Sequence, residues 1–519
     1  MARAFFCKPP GMTRSFAVRR RRRIGQQQQL LRFASDTLTG DADQVRQAKY
    51  NELLDATTLS LAPMMEYTDR HFRHLVRLVS NRTLLYTEMV AANALANERK
   101  NVMEEYRQTI NNASERSGFA LSTTTASATT NEILRDNYDD HYLQRYLAQG
   151  RVMPEGPSVL QLGGSDPEQM FQAAQTVLDM TARGHCDYTA INLNCGCPSP
   201  KVAGKGCFGA ALMDEPQLVA ELTKALHEGT EGRLPVTVKC RIGTDSDQAF
   251  TRQAYAAIDP EQEYSKLRSF IETVASDGIV TDFSVHARIA VLQKSFSPSD
   301  NRKIPPLKYD IVRRLVQEYP DFTFSLNGGV ESISQAQAEF ATSPGLKGVM
   351  IGRSWAADPW SFAMADRLLY KDENAPRNRL EILQAFGRHA DREEELGDPV
   401  KIRRFIVKAV TPLFTGEINA KRYRIALNEI AGLPKKLAQQ GKSLDGQAPL
   451  SELILNAAVE YFSEETLLRS PEESYARILD EEEKRKSGTA GDGVRSNSVA
   501  EWQTRRKEEE QEQQASLNG

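Results

Sequence analysis

The chain of 519 residues has no run of about 18 apolar residues, so no membrane-spanning helix is expected. Its cysteines are few: 6, irregularly spaced, which speaks against a disulfide framework and for a reducing compartment. Cys195, Cys197 and Cys207 lack paired C-x-x-C spacing, and no histidine follows at ligand distance, so no metal site is expected. Net charge is only −3, which gives no direct sign of a polyanionic partner. The charges are segregated, however, so that average decides little. Acidic residues are absent from residues 1–35, which hold Arg3, Lys8, Arg14, Arg19–Arg23 and Arg32 among serine, phenylalanine and small residues. This is transit-peptide composition, with Arg32-Phe33-Ala34-Ser35 as a processing region, and it predicts import into a mitochondrion or plastid. A nuclear signal or RNA-binding arm, in a nuclear or cytoplasmic protein, is the alternative. Residues 1–45 are read as a disordered basic segment. Residues 466–519 are read as a disordered charged tail, too poor in apolar anchors to offset the entropy of ordering.

Between these ends, short apolar runs alternate with amphipathic helical stretches. The predicted strands are 59–66, 84–89, 158–163, 188–194, 236–242, 283–287, 323–327 and 348–351. Eight βα units over about 300 residues predict a (β/α)8 barrel spanning 55–375. A smaller helical domain is expected at 376–465. Residues 111–157, with a low-complexity run at 122–130, read as a surface insertion; 248–263 also looks expanded.

Barrel enzymes place their chemistry at the C-terminal ends of strands. Here those ends read Pro63-Met64-Met65, Glu88, Gln161-Leu162-Gly163-Gly164, Asn194 with Cys197, Lys239 with Arg241, His286 with Arg288, Asn327-Gly328-Gly329 and Gly352-Arg353. Taken singly, each has an ordinary structural explanation: a core histidine, a solvent-facing lysine, a tight glycine turn. Together they suggest a phosphate-bearing planar cofactor over the barrel mouth. Gly328-Gly329 and Gly352-Arg353 follow the last two strands, where backbone N–H groups and an arginine can hold phosphate. The run Asn194-Cys195-Gly196-Cys197-Pro198 stops its strand with glycine and proline, putting Cys197 on a turn where a thiol meets a ligand.

The segments Leu61–Asp69, Gln161–Gly164, Cys197-Pro198-Ser199-Pro200, Val238–Arg241, Val285–Arg288, Asn327–Gly329 and Met350–Arg353 together resemble the tRNA-dihydrouridine synthases. The segment Asn301–Leu307 looks like the subfamily acting on positions 20 and 20a of the D-loop. The resemblance covers about 59–370 closely and continues more weakly to about 461. It implies FMN held by Pro63, Met64, Met65, Gln161, Lys239, His286, Asn327, Gly328, Gly329, Gly352 and Arg353. It implies Cys197 as the general acid, Asn194 and Arg241 at the uracil edge, and Asn301 and Arg302 positioning tRNA. It further implies NADPH (or NADH) as reductant and tRNA as partner; a monomer without membrane association is expected. Cys195 departs from the family pattern and reads as a packing choice or a redox liability.

Lys401, Arg403, Arg404, Lys408, Lys421, Arg422 and Arg424 form a basic stretch where the family places a helical tRNA-binding domain. They read as a phosphate-contacting surface, with a merely solvated basic face as the alternative. Two other functions stay open at this point. A small-molecule flavin oxidoreductase of the dihydroorotate dehydrogenase or ene-reductase type would explain the strand ends but not the basic helices. A non-catalytic tRNA-binding protein would explain the helices but not Cys197, Lys239 and His286 together.

Overall fold

The computed structural model describes residues 41–486 except 118–139, 150–151, 200–207, 246–249, 257, 294, 374–376 and 445. Of the segment 1–45 read as disordered, residues 1–40 lie outside the described residues, as do the run at 122–130, Cys207 and everything from 487 onward; residues 42–45 correct that reading, since they open a helix capped by Asp41.

Eight parallel strands close into a barrel in chain order: β1 (Leu59–Leu61), β2 (Leu84–Ala91), β3 (Ser158–Gly163), β4 (Ala190–Cys195), β5 (Val236–Arg241), β6 (Asp282–His286), β7 (Thr323–Asn327) and β8 (Gly348–Ile351). Closure is made by β8 on β1, with Leu59 opposite Val349 and Leu61 opposite Ile351. β3, β4 and β8 are buried at every position, as strands packed on both faces must be. The eight strands are those predicted, with two informative changes at their ends. β1 stops at Leu61, not at residue 66, because Pro63 has no N–H for the ladder and Met64 and Thr68 close a turn on each other. β2 runs on to Ala91 with a register shift between Tyr86 and Met89.

The helices, in chain order, begin with α1 (Ala42–Ala56), which places Leu53 and Ala56 against Leu84, Val159 and Ala190 at the N-terminal end of the barrel. They continue as α2 (Arg70–Val79), α3 (Ala92–Ser117), α4 (Asp140–Leu147), α5 (Pro167–Ala182), α6 (Pro216–Gly229), α7 (Arg252–Ala256), α8 (Pro260–Val274), α9 (Tyr309–Glu318), α10 (Ile333–Thr342), α11 (Arg353–Ala357) and α12 (Ala365–Tyr370). Several of the longer ones start where an aspartate accepts from backbone N–H groups, as Asp69 does from His71 and Phe72. Part of the expected insertion belongs to the core. Leu143 and Leu147 of α4 are buried, and Glu155 forms an enclosed ion pair with Arg73 at 2.6 Å. Proline-free amphipathic spacing in 140–147 carries that signal, masked in the sequence by the low-complexity run before it.

A helical unit follows: α13 (Arg379–Leu396), α14 (Pro399–Val410), α15 (Ala420–Gln439), α16 (Leu450–Tyr461), α17 (Glu464–Leu468) and α18 (Pro471–Lys486). Phe414, Tyr423 and Phe462 form its aromatic centre, with Phe414 and Phe462 stacked at 4.1 Å. It docks on α2 of the barrel through the Arg70–Glu393 ion pair at 2.7 Å and a bond of 2.9 Å between His71 Nδ1 and His389 Nε2. α18 corrects the reading of a tail disordered from 466. Ser470 accepts from the Glu473 N–H while Glu473 accepts from the Ser470 N–H, a capping box that its Ser-Pro-Glu-Glu sequence encodes. Ser334 and Arg367 then tie Glu482 and Glu472 to the barrel. Among the described residues, no helix is long and apolar enough to cross a membrane.

Candidate active site

At the C-terminal end of the barrel lies a cavity of about 770 Å³, a volume suited to a cofactor-sized ligand. Pro63, Met64, Met65, Gln161, Asn194, Cys197, Lys239, Arg241, His286, Arg302, Asn327, Gly328, Gly329, Gly352 and Arg353 all line it. Every expected site residue except Asn301 is therefore brought together, from strand ends around the barrel and one long loop.

The cysteine loop is held from below by amides. Asn194 Oδ1 accepts from the N–H groups of both Gly196 and Cys197 at 3.0 Å. Its Nδ2 donates to Gln161 Oε1 at 3.0 Å; Gln161 Nε2 donates to Asn192 Oδ1, and Asn192 Nδ2 to Thr237 Oγ1, each at 2.8 Å. This chain of bonds crosses the barrel interior and orients the loop that presents the half-buried Cys197. Asn194 thus holds the cysteine loop with both ends of its amide while also lining the cavity. Cys195 is fully buried, so of its two readings packing holds and redox exposure does not. Burial pushes its thiol well above the ordinary range.

Opposite this loop, Lys239 Nζ donates to Asn327 Oδ1 at 3.0 Å, and Asn327 Nδ2 donates to the Met350 carbonyl at 2.8 Å. Burial, helped by Arg241, brings the Lys239 ammonium down to about 8. His286 is held well below the usual histidine range by burial and by Arg241, so its ring is neutral. Gly328 has φ +102° and packs so closely on the His286 ring that a Cβ there would collide with it. Gly329 follows at φ +81°, leaving no Cβ on either side of the turn. Arg353 projects into the same cavity after Gly352. Cations dominate the lining: Lys239, Arg241, Arg288, Arg302 and Arg353 against a single carboxylate among the described residues, Glu331. Such an imbalance fits an anionic ligand, and the bare glycine turn beside it fits a phosphate brought against backbone N–H groups.

One expected role changes. Asn301 is fully buried; its side chain donates to the Val291 carbonyl at 2.9 Å and accepts from the Val291 N–H at 2.8 Å, so it braces a loop and does not contact tRNA. Arg241 lines the cavity, yet its guanidinium donates to the carbonyls of Gly196, Ile289 and Asn301, tying three loops together. Among the lining residues, Tyr67, Met89 and Glu331 were not anticipated. Met89 was hidden by the β2 register shift, since one residue of slip exchanges the two faces of a strand. No group of histidine, cysteine and acidic residues able to hold a metal ion occurs among the described residues.

Fold and site together define a (β/α)8-barrel protein with a cation-lined, glycine-floored pocket presenting a thiol. A family model described as dihydrouridine synthase (Dus) matches residues 60–448. Three similar relatives are each named tRNA-dihydrouridine(20/20a) synthase. The one from Shewanella oneidensis is 34% identical over 72% of this chain and 89% of its own length. That from Escherichia coli K12 is 35% identical over 72% and 86%, and that from Synechocystis sp. 34% over 72% and 88%. A solved structure, a variant of NCR from Zymomonas mobilis, aligns at a TM-score of 0.29 and 10% identity over 60% of this chain and 86% of that one, too remote to carry an argument. The chain belongs to the dihydrouridine synthase family.

Proposed function

We infer that this protein reduces the C5–C6 bond of uridine in the D-loop of tRNA, at positions 20 and 20a, with FMN in the barrel mouth and NADPH or NADH as reductant. The observation that carries the reading is the convergence of the Cys197 loop, the Lys239–Asn327 pair and the Gly328-Gly329 turn on one cation-rich cavity. The names of the relatives support the substrate and its positions.

Bound and reduced, FMN supplies the hydride for uracil C6. Arg288, Arg353 and the N–H groups of the glycine turn would take its phosphate, while Lys239 and the neutral His286 would meet the electron-rich edge of its ring. Cys197 gives the thiol proton to C5 as the new C–H bond forms, so one hydride and one proton saturate the double bond. Asn194 holds the loop that aims this thiol. The uridine has to leave its stack to reach the cavity, and contacts inside the pocket offset that cost. The basic residues at 1–35 support import into a mitochondrion or plastid, and the protein acts there as a monomer.

The deciding experiment measures flavin in the purified protein and dihydrouridine in D-loop tRNA after incubation with NADPH. Bound FMN and dihydrouridine at positions 20 and 20a are expected. A colourless protein that takes up no FMN would refute the flavin reading. Reduction of small uracil-like molecules with no action on tRNA would replace the substrate. Deleting residues 1–35 should abolish organelle import and leave the activity intact.

A further inference from the structure

One residue at the rim of the pocket is gripped through its backbone N–H and C=O from two separate parts of the molecule. Glu66 has a left-handed backbone, φ +67°, unusual for a residue with a Cβ. Such a conformation persists where the surroundings over-determine it. Here the Glu66 N–H donates to the carboxylate of Glu88 on β2, and the Glu66 carbonyl accepts from Lys408 Nζ of α14 at 3.1 Å. The same ammonium sits 4.7 Å from the centre of the Tyr67 ring, a cation–π contact. Met65 and Tyr67, on either side of Glu66, both line the cavity, and Met65 is 53% exposed to it and to solvent. Glu88 reaches the loop because the register shift in β2 turns Met89 into the cavity and leaves Glu88 beside it.

The geometry points to Lys408 and Glu88 as a two-sided clamp on the β1 loop, making Lys408 a positioning residue for the pocket wall and not a phosphate contact. Lys408 belongs to the helical unit, whereas the loop belongs to the barrel, so the pocket wall is completed by the unit that follows the barrel. Lys401, Arg404 and Phe405 occupy one exposed side of α14 in the turns before Lys408, at helical spacing of three, four and seven residues. A polyanion lying along that side would end at the anchor of the loop. The functional consequence rests on the flavin and tRNA reading above; the clamp itself rests only on the contacts.

The test uses the full-length protein with Lys408→Met, Lys408→Arg, Glu88→Leu, Glu88→Gln and, as a control, Arg404→Met. Amide hydrogen exchange at residues 64–68 should rise about tenfold in Lys408→Met and Glu88→Leu, the scale expected for losing one hydrogen bond to a charged group. Lys408→Arg keeps a donor and Glu88→Gln keeps an acceptor, so both should restore protection, and Arg404→Met should leave it unchanged. With saturating tRNA, single-turnover reduction in Lys408→Met should fall about tenfold while the salt slope of tRNA binding stays as in the parent. Normal exchange in the loop, together with a salt slope lowered by about one neutralised phosphate, would overturn the clamp in favour of a phosphate role. Exchange decides the clamp even in a protein that proves not to make dihydrouridine, so the two readings fail separately. Should Lys408→Met raise exchange throughout the chain, the Glu88→Leu and Glu88→Gln pair decides alone.

Discussion

Arginine does opposite work in the helical unit and at the barrel mouth. In the helical unit, Arg379, Arg403 and Arg469 are buried, and each meets a carboxylate: Glu417 for the first and third, Glu394 for the second. At the mouth, Arg241, Arg288 and Arg353 stand with Lys239 around a cavity whose described lining has one carboxylate. There the positive groups work against each other: burial, with Arg302 and Arg288 nearby, pushes Arg241 down to about 9, and Arg353 adds to the burial that lowers Arg288. Paired cations hold a fold together. Crowded cations facing open volume are a cost to the fold that an anionic ligand offsets.

The largest effect that bears on this contrast is at the mouth. Cys197→Ala should lower dihydrouridine formation by about 10²–10⁴, the usual cost of losing a general acid, with FMN and tRNA still bound. Turnover close to the parent's would remove the thiol from the reaction. Next comes Arg403→Met, which strands Glu394 and should cost about 3 kcal/mol of stability, the lower end of the range for breaking a buried pair, because Glu394 keeps some exposure. Chemical denaturation should show that loss, and the salt dependence of tRNA binding should not change. A flattened salt slope with full stability would make Arg403 a tRNA contact after all and dissolve the comparison.

Acid should strain the seam between the two regions. His71 lies well below the usual histidine range and His74 is pushed down to about 3, in both cases chiefly by burial. The neutral form is therefore favoured in the folded state, and the unfolded chain binds more protons once the pH falls below about 6.5. Stability should drop from there toward about pH 3 by up to about 1.4 kcal/mol per pH unit for each group. Replacing His74 with Phe, which keeps a ring against His389, should shallow that slope. An unchanged slope would mean that the acid sensitivity resides elsewhere. The smallest effect per residue belongs to the exposed cations. Lys401, Arg404, Lys421 and Arg422 replaced together by alanine should reduce the salt slope of tRNA binding by about 0.7–0.9 for each phosphate they neutralise. No change would leave that face merely solvated, with tRNA held by the mouth alone.

The barrel was legible because its strands are buried on both faces, so each reads as a short apolar run bounded by turn residues. Most of the site was legible because the fold rule puts chemistry at strand ends, and those ends carry Lys239, His286, Asn327 and Cys197. What misled was charge. Arg403 and Arg404 are neighbours of the same type, yet a helix turns by about 100° per residue, so one faces Glu394 inside and the other faces water. Asn301 likewise sat beside Arg302 in one motif, but the loop buries its amide and sends Arg302 to the cavity. α18 was missed although its capping box was written in Ser470 and Glu473, because composition outweighed the local signal.

By itself, then, the order of apolar runs, glycines and strand-end polar residues determined a closed parallel barrel, the position of its mouth and the cysteine loop there, since these depend on local periodicity and backbone freedom. Only the tertiary structure decided which cations are spent on partners, that Asn194 and Arg241 serve loops, and that Lys408 reaches back to Glu66 from 342 positions away in the chain. Those outcomes depend on which side chains meet across the molecule, and a long flexible side chain carries no mark of its partner.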